Sequence, residues 1–269
     1  MKFFLFILRL LSSSYYSRVP RTSLKPTQQE DGSDVMQETT AEVVDTSELV
    51  TPEPEIIAEI DTKVGHQKRY TWCINAGHGS LQAGKRSPII PEFGHRLMEW
   101  HWNRQIKIMI FRELDRLGVD YFDVVPEDHV GSFLSERVRR ANNHASTLNK
   151  IYLSIHANAG PATDIDSWTK IGISGTETWH CHTSKKGRKA ATIFQQKLVA
   201  ATGFKNRNIK SKPSGQFYEL VATNMVAILT ESGFYNNKVE VMKLLDPQVM
   251  KRIALAHVSA IIEIETNGL

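Results

Sequence analysis

The chain has 269 residues, of which 41% are hydrophobic and 23% are charged. This length allows one domain of about 200 residues with a full core and leaves further sequence outside it. Two cysteines, Cys73 and Cys181, exclude a disulfide framework and a cysteine-rich zinc knuckle; we expect two buried thiols, or a single bridge if the chain is exported. The charge is uneven, because residues 1–21 carry +4, residues 22–66 carry −9 and residues 67–269 carry +9. The last value favours a polyanionic partner, either nucleic acid or an anionic envelope polymer.

The N-terminal part of the chain does not have the pattern of a folded domain. Residues 1–21 contain an apolar run, Phe3–Leu8, that resembles the start of a signal peptide or a membrane-proximal leader. The run is too short to span a bilayer, so membrane contact is expected through residues 1–11 only. Residues 22–66 contain no aromatic residue and are rich in acids, threonine and proline. They are predicted to be a disordered acidic tether.

From residue 67 onward, strand-like and helix-like segments alternate. Short apolar runs that end at glycine or polar residues predict strands, and apolar residues spaced three and four apart predict helices. The last helix is predicted to begin with Asp246 as N-cap and Pro247 in its first turn. The alternation predicts an α/β fold, with a mostly parallel sheet flanked by helices on both faces. Predicted strands cover residues 69–77, 119–125, 150–158, 175–183 and 224–234, predicted helices cover 103–118, 132–143, 185–203, 236–245 and 246–264, and a basic loop is predicted over 204–220.

Three predicted strands end at polar residues with catalytic potential. "TWCINAGHGS" places His78 between two glycines, "IYLSIHANAG" leads to His156, and "VAILTESGF" delivers Glu231. Ligands bind beyond the carboxyl ends of parallel strands, so these side chains are expected to converge at one edge of the sheet. Two histidines are natural zinc ligands, and a catalytic zinc needs three protein ligands and one open position. Glu231 is therefore either the third ligand or the general base.

A second carboxylate, that of Glu99, is a candidate for the third zinc ligand and so leaves the role of general base to Glu231. Glu99 lies in "GHRLMEWHWNRQI", at the start of a predicted helix, with Asn103 one turn later on the same face. We therefore predict a zinc site formed by His78, Glu99 and His156. This assignment leaves Glu231 unligated, as the base that water activation requires.

Other polar residues are weaker candidates. His180 and His182, two apart in "TWHCHT", are either a metal pair or, as we favour, a half-exposed strand face beside a substrate groove. Asn103 and Asn158 are predicted to support the site through hydrogen bonds, and His257 is expected in the core. The remaining candidates are a basic helix face, a set of loop cations and a set of tryptophans expected mainly in the core: Arg137, Arg139 and Arg140; Lys205, Arg207, Lys210 and Lys212; Trp100, Trp102, Trp168 and Trp179.

Six motifs occur in the order of a known family: "INAGHGS", "EWHWN", "FLSERVRRAN", "IYLSIHANAG", "GTETW" and "ILTESGFYNN". Over residues 69–264 the chain resembles the zinc-dependent N-acetylmuramoyl-L-alanine amidases of the amidase_3 type, and "AGKRSP" is similar to phage and Bacteroidetes-type members. The resemblance implies a twisted, mainly parallel six-stranded sheet. It also implies hydrolysis of the amide that joins the lactyl group of N-acetylmuramic acid to the L-alanine of the stem peptide in peptidoglycan.

The resemblance also implies roles for individual residues. By position, His78, Glu99 and His156 match the Zn²⁺ ligands and Glu231 matches the catalytic glutamate. Arg137 matches the family pattern with a structural role. The chain departs from the family after the first histidine, where "SLQAG" stands in place of a second glycine and an aspartate. The resemblance therefore says least about the loop over residues 80–96, which is expected to shape the substrate groove.

Other functions remain open at this point. A catalytically silent wall-binding module and a zinc carboxypeptidase acting on stem peptides are the alternatives to an amidase. The loop cations are candidates for contact with stem-peptide carboxylates. A nucleic-acid partner is disfavoured, because aromatic and basic residues are not interleaved as in single-strand binders.

The setting of the reaction is expected to be the cell wall or the periplasmic side, after export or phage-driven release. Residues 67–269 are predicted to be the catalytic domain. A phage endolysin and a host remodelling enzyme would share all of the residues named above, so the sequence fits both.

Overall fold

A computed structural model describes residues 68–215 and 217–269 and contains a six-stranded sheet. Its strands in chain order are β1 (Tyr70–Ala76), β2 (Tyr121–Asp123), β3 (Asn149–Asn158), β4 (Thr176–His180), β5 (Asn206–Lys210) and β6 (Val226–Phe234). Their spatial order is β2-β1-β3-β6-β4-β5. Every pairing is parallel except that of β4 with β6. The predicted α/β fold with a mostly parallel sheet is confirmed.

Six helices accompany the sheet within the described residues, and their ends follow simple local rules. The last one is capped as predicted, since the Asp246 side chain accepts a hydrogen bond from the Gln248 N–H at 2.7 Å. The first one ends at Gly118, whose φ of 69° is left-handed and suits glycine. The helices are α1 (Glu99–Leu117), α2 (Leu134–Asn143), α3 (Lys185–Thr202), α4 (Tyr218–Ala222), α5 (Lys238–Leu244) and α6 (Pro247–Asn267).

Both faces of the sheet are covered, and alternate residues of the central strand β3 contribute to the two cores. Ile151, Leu153 and Ile155 of β3 belong to the larger core with α1, α3 and α6. Tyr152 of the same strand belongs to the smaller core, to which α2 and α4 contribute. A strand buried on both sides reads as a nearly continuous apolar run, which is why β3 was recognisable in the sequence. The polar residues at its end therefore mark a change in environment.

The structure corrects the predictions for three segments. Residues 204–220 are not a loop throughout, because they contain β5 and α4. Strand β5 is an edge strand with half-buried and exposed residues, so it lacks the apolar pattern that identifies a buried strand. Strand β4 ends at His180, so His182 lies outside it and the two histidines do not share a strand face. Helix α1 includes Glu99 as its first residue, four residues before the apolar pattern over residues 103–118 that predicted the helix.

One histidine and both cysteines are accounted for by packing. His257 is buried as expected: Nδ1–H donates to the Ile253 carbonyl at 2.8 Å, and Nε2 lies 3.0 Å from the Thr230 hydroxyl. Burial lowers the pKa of His257 to about 4. Cys73 is buried and Cys181 is half-buried, and both are free thiols. Burial raises the pKa of the Cys73 thiol to about 11, so Cys73 is inert at neutral pH.

The predicted leader (residues 1–21) and acidic tether (residues 22–66) lie outside the described residues. Within the part that the structure describes, none of the helices combines the length and apolar character needed to cross a bilayer.

Candidate metal centre

The carboxyl ends of β1, β3 and β6 carry side chains that the sequence singled out. His156 of β3 lies directly opposite Glu231 of β6 in the parallel register. His78 follows the end of β1 by two residues, and Glu99 is the first residue of α1. Helix α1 packs on β1 and β3, which brings the Glu99 carboxylate over the same edge. The predicted convergence of these four residues at one edge of the sheet is therefore observed.

Three of the four side chains form a compact group. The distance from His78 Nε2 to Glu99 Oε2 is 3.2 Å, and that from His156 Nδ1 to Glu99 Oε1 is 3.1 Å. The imidazole rings are nearly perpendicular, with centroids 4.8 Å apart. One donor atom from each residue lies within 4.8 Å of the others, and no other group of this kind occurs in residues 68–215 and 217–269. Two imidazole nitrogens and one carboxylate oxygen are a donor set that fits zinc.

The electrostatics of the group suit a cation. Burial alone would raise the pKa of Glu99, but the neighbouring His78 and His156 outweigh it and lower that pKa to about 2. Burial lowers the pKa of His156, which favours the neutral imidazole. An ionised carboxylate and a neutral imidazole are the protonation states in which glutamate and histidine side chains bind metals.

Each histidine directs its second ring nitrogen to a fixed partner. His78 Nδ1 lies 2.7 Å from Gln82 Oε1, and His156 Nε2 lies 3.1 Å from the Ser154 hydroxyl. Ser154 in turn accepts a hydrogen bond from Asn75 Nδ2 at 2.8 Å. Such contacts orient the ring and leave the other nitrogen free to bind a metal.

The loop that carries His78 is held by its backbone. His78 has a left-handed φ of 62°, which is uncommon for residues other than glycine. Its carbonyl oxygen accepts hydrogen bonds from Arg104 Nη1 at 3.1 Å and from Arg137 Nη2 at 2.7 Å. Asn103 Nδ2 donates to the Gly77 carbonyl at 3.1 Å. Asn103 thus contacts the loop backbone and not a ligand atom.

Gly77 is needed because the His156 ring lies against it. A Cβ at position 77 would lie 2.0 Å from His156 Cε1, closer than any real contact. The glycine before the first histidine therefore makes room for the second one.

Arg137 is the anchor of this region. It is 1% exposed, and it also donates to Asn75 Oδ1, to the Ala76 carbonyl at 2.7 Å and to the Ser132 carbonyl at 2.9 Å. The carboxylate of Glu219 accepts a hydrogen bond from Asn75 Nδ2 at 2.9 Å, and its charge stabilises the Arg137 guanidinium. Arg137 is therefore a buried structural cation.

Replacing Arg137 by methionine is expected to lower the free energy of unfolding by about 3–5 kcal/mol, because the change leaves several buried acceptors and the Glu219 charge without their partner. Urea denaturation measures this difference. Arg139 is the matched control, since it lies on the same helix and is exposed beside Glu136. Arg139→Met should leave the stability almost unchanged. Equal effects of the two substitutions would contradict the anchoring role.

Glu231 lines the same cleft as the metal-binding group but is not part of that group. The residue is 8% exposed, and its Oε2 has no hydrogen-bond partner among the described residues. Burial, with added repulsion from Glu99 and Glu177, raises the pKa of Glu231 well above its usual value. A buried carboxyl with one unpartnered oxygen is suited to exchanging a proton with a molecule in the cleft.

A cleft of about 330 Å³ opens over these residues. Its lining includes the three candidate ligands and Glu231, with Lys85, Leu134, Phe217 and Tyr235 around them. The volume is at the lower end of the range for small-ligand sites. A segment of a larger substrate can therefore enter while the rest remains outside.

The weaker candidates are not part of the metal-binding group. His180 is buried with its Nδ1 2.9 Å from the Cys181 carbonyl, and neither it nor His182 is part of the metal-binding group. Asn158 Nδ2 donates to Glu177 Oε1 at 3.0 Å and not to a ligand. Trp100 and Trp102 are buried, and Trp168 and Trp179 are half-buried. None of the loop cations Lys205, Arg207, Lys210 and Lys212 lines the cleft.

Some residues of the site were missed by the sequence argument. Ser154 could have been found, because it lies two residues before His156 and so faces the same side of the strand. Gln82 and Lys85 belong to the 80–96 loop, where the sequence has no periodic pattern. Tyr235 lies four residues after Glu231, but no pattern in the sequence marks it as a residue of the site.

Comparison with known proteins identifies a family and relatives that include an amidase. Residues 73–263 match the Amidase_3 family, described as N-acetylmuramoyl-L-alanine amidase. The amidase LytC of Bacillus subtilis (strain 168) is 28% identical over 193 residues, which are 69% of this chain and 34% of LytC. The uncharacterized protein YqiI of the same organism is also 28% identical over 193 residues, covering 71% of this chain and 82% of YqiI. The chain thus spans about a third of LytC and most of YqiI.

Solved amidase structures share the fold, including the following two. An N-acetylmuramoyl-L-alanine amidase from Clostridium difficile 630 aligns with a TM-score of 0.61 at 25% identity, covering 74% of this chain and 97% of the other. The catalytic domain of the amidase CwlV from Bacillus (Paenibacillus) polymyxa var. colistinus aligns with a TM-score of 0.58 at 23% identity, covering 72% and 97% of the two chains.

Proposed function

The chain belongs to the Amidase_3 family of N-acetylmuramoyl-L-alanine amidases, and on this basis we propose that it is a zinc-dependent peptidoglycan hydrolase. The bond cleaved is the amide between the lactyl group of N-acetylmuramic acid and the L-alanine of the stem peptide. The observation that carries the proposal is the group formed by His78, Glu99 and His156, with its 3.1 Å and 3.2 Å contacts at the edge of the sheet.

These three side chains would hold the zinc ion. When bound, zinc supplies a Lewis acid that polarises the scissile carbonyl and makes water acidic enough to react near neutral pH. Gln82 and Ser154 keep the two imidazoles in the required orientation. The loop contacts of Arg104 and Arg137 hold His78 in place against its strained backbone conformation.

Glu231 is proposed to move the proton. Its partnerless Oε2 accepts a proton from the attacking water and later gives it to the nitrogen of the leaving alanine. The raised pKa of Glu231 supports this role, because a carboxyl group whose pKa is raised by burial accepts a proton more readily.

The alternatives fit the cleft less well. A silent wall-binding module has no use for a buried carboxyl without a partner beside three metal-binding groups. A zinc carboxypeptidase could use the same four residues, so the products distinguish it from an amidase. Action on peptidoglycan places the protein at the cell wall or the periplasmic side, and both an endolysin and a host remodelling enzyme satisfy that placement.

Digestion of purified sacculi followed by mass spectrometry of the released material tests the proposal. An amidase releases whole stem peptides with a free L-alanine amine and leaves intact glycan strands. Loss of single terminal residues would instead identify a carboxypeptidase, and absence of any product would identify a binding module. Protein treated with a chelator serves as the control and should release nothing until zinc is restored.

A further inference from the structure

One cation in the cleft has no partner. Among the described residues, those that line the cleft include the acidic Glu99, Glu219 and Glu231 and two permanently basic ones, Lys85 and Arg137. Every nitrogen of the Arg137 guanidinium donates to a protein oxygen. Lys85 has no ion pair or side-chain hydrogen bond with any described residue. Its ammonium group is therefore available to a molecule that enters the cleft.

The backbone of Lys85 is fixed to the metal centre. Its carbonyl accepts a hydrogen bond from the Glu99 N–H at 2.9 Å, so Lys85 is held by the residue whose carboxylate forms the centre of the metal group. The next residue, Arg86, forms an antiparallel bridge with Met98, and the Ser87 N–H donates to the Leu97 carbonyl at 2.9 Å. The backbone of Lys85 is thus held beside the metal-binding group by several hydrogen bonds to the start of α1.

Asp166, which pairs with the neighbouring residue Arg86, forms no ion pair with Lys85. Asp166 accepts from both Arg86 and Arg96, so its charge is already shared by two guanidinium groups. The charge of Lys85 acts into the cleft instead, where it opposes the effects that raise the pKa of Glu231. Unlike an ordinary surface lysine without a partner, Lys85 lines the cleft that also contains Glu231 and the metal-binding group.

The proposed substrate carries a matching anion. Beyond the L-alanine of a stem peptide, the second residue is a glutamate linked through its side chain, and its α-carboxyl group is either free or amidated. That group lies one residue from the scissile amide. We propose, resting on the proposed amidase function, that Lys85 binds this free α-carboxylate and makes the enzyme selective for stem peptides that are not amidated there. A charge-assisted hydrogen bond of this kind supports a preference of about tenfold to a hundredfold.

The test compares two soluble substrates, N-acetylmuramoyl-L-alanyl-D-glutamate and N-acetylmuramoyl-L-alanyl-D-isoglutamine, each extended by the same peptide. The measured quantity is the ratio of their kcat/KM values. We expect wild-type protein to prefer the free carboxylate by about tenfold or more, mainly through KM. Lys85→Met should bring the ratio close to one, and Lys85→Arg should retain part of the preference.

Lys212→Met is the matched control. Lys212 is an exposed lysine of the 204–220 segment that lies 5.2 Å from the Trp179 ring and outside the cleft. The Lys212→Met variant should have the same ratio of kcat/KM values as the wild-type protein. The proposal is overturned if wild-type protein does not discriminate, if Lys212→Met abolishes the preference, or if Lys85→Met slows both substrates equally, since the last result would place Lys85 in the chemical step. Failure of wild-type protein to cleave either substrate would instead refute the amidase function itself.

Discussion

Glu231→Ala is expected to lower kcat by about 10²–10⁴-fold, the usual contribution of a general acid–base group, while fold and bound zinc are retained. The reason is that Glu231 is not among the atoms that surround the metal position but has a free Oε2 in the same cleft. Its removal also relieves the cost of burying a carboxyl group beside Glu99 and Glu177, so the variant should be at least as resistant to heat as the wild type.

Three measurements on purified protein check this expectation: kcat on a soluble muramyl peptide, zinc content and melting temperature. Glu231→Gln serves as the isosteric companion, because it keeps the shape of the side chain and removes only its ability to accept a proton. It should be as slow as the alanine variant. Lysis of sacculi at the wild-type rate by Glu231→Ala would exclude the general-base role.

His156→Ala is expected to weaken zinc binding by more than about a hundredfold and to abolish turnover. This effect is larger than that of losing a residue that only hydrogen-bonds to a metal ligand. The change removes one of three donor atoms and leaves Glu99 with a single imidazole partner. Competition with a chromophoric chelator measures the affinity, and added zinc at high concentration should restore only part of the activity.

His101→Ala is the matched control for this experiment. His101 is an exposed histidine two residues from Glu99 on the same helix, so it tests whether any nearby imidazole suffices. The zinc affinity of His101→Ala should be within about threefold of the wild-type value, as expected for a surface change away from the site. Equal loss of affinity in the two variants would mean that the metal is not held where the side chains converge.

The arrangement of the centre was foreseeable because it depends on a general property of parallel sheets. Strands β1, β3 and β6 were recognisable as apolar runs, and their carboxyl ends must lie at one edge. His78, His156 and Glu231 are therefore close in space although they are far apart in sequence. Glu99 was found by helical spacing, even though the helix begins four residues earlier than its apolar pattern indicates.

The remaining details depend on long-range hydrogen bonds that leave no local pattern. Lys85 is positioned by the Glu99 backbone, and Gln82 meets His78 in an irregular loop, so neither contact has a periodicity to read. Strand β5 was missed because an edge strand need not be apolar. Arg137 was hard to distinguish from Arg139 in sequence, since burial of an arginine depends on where its acceptors lie in the fold.

The most direct test of the central claim is the zinc K-edge X-ray absorption spectrum of the wild-type protein. If His78, Glu99 and His156 hold the ion, the spectrum will show nitrogen and oxygen neighbours at about 2.0–2.1 Å with the outer-shell signature of two imidazoles and no sulfur. A sulfur neighbour at about 2.3 Å would place the ion at a cysteine and contradict the account. Full activity in protein that holds no metal would contradict it equally.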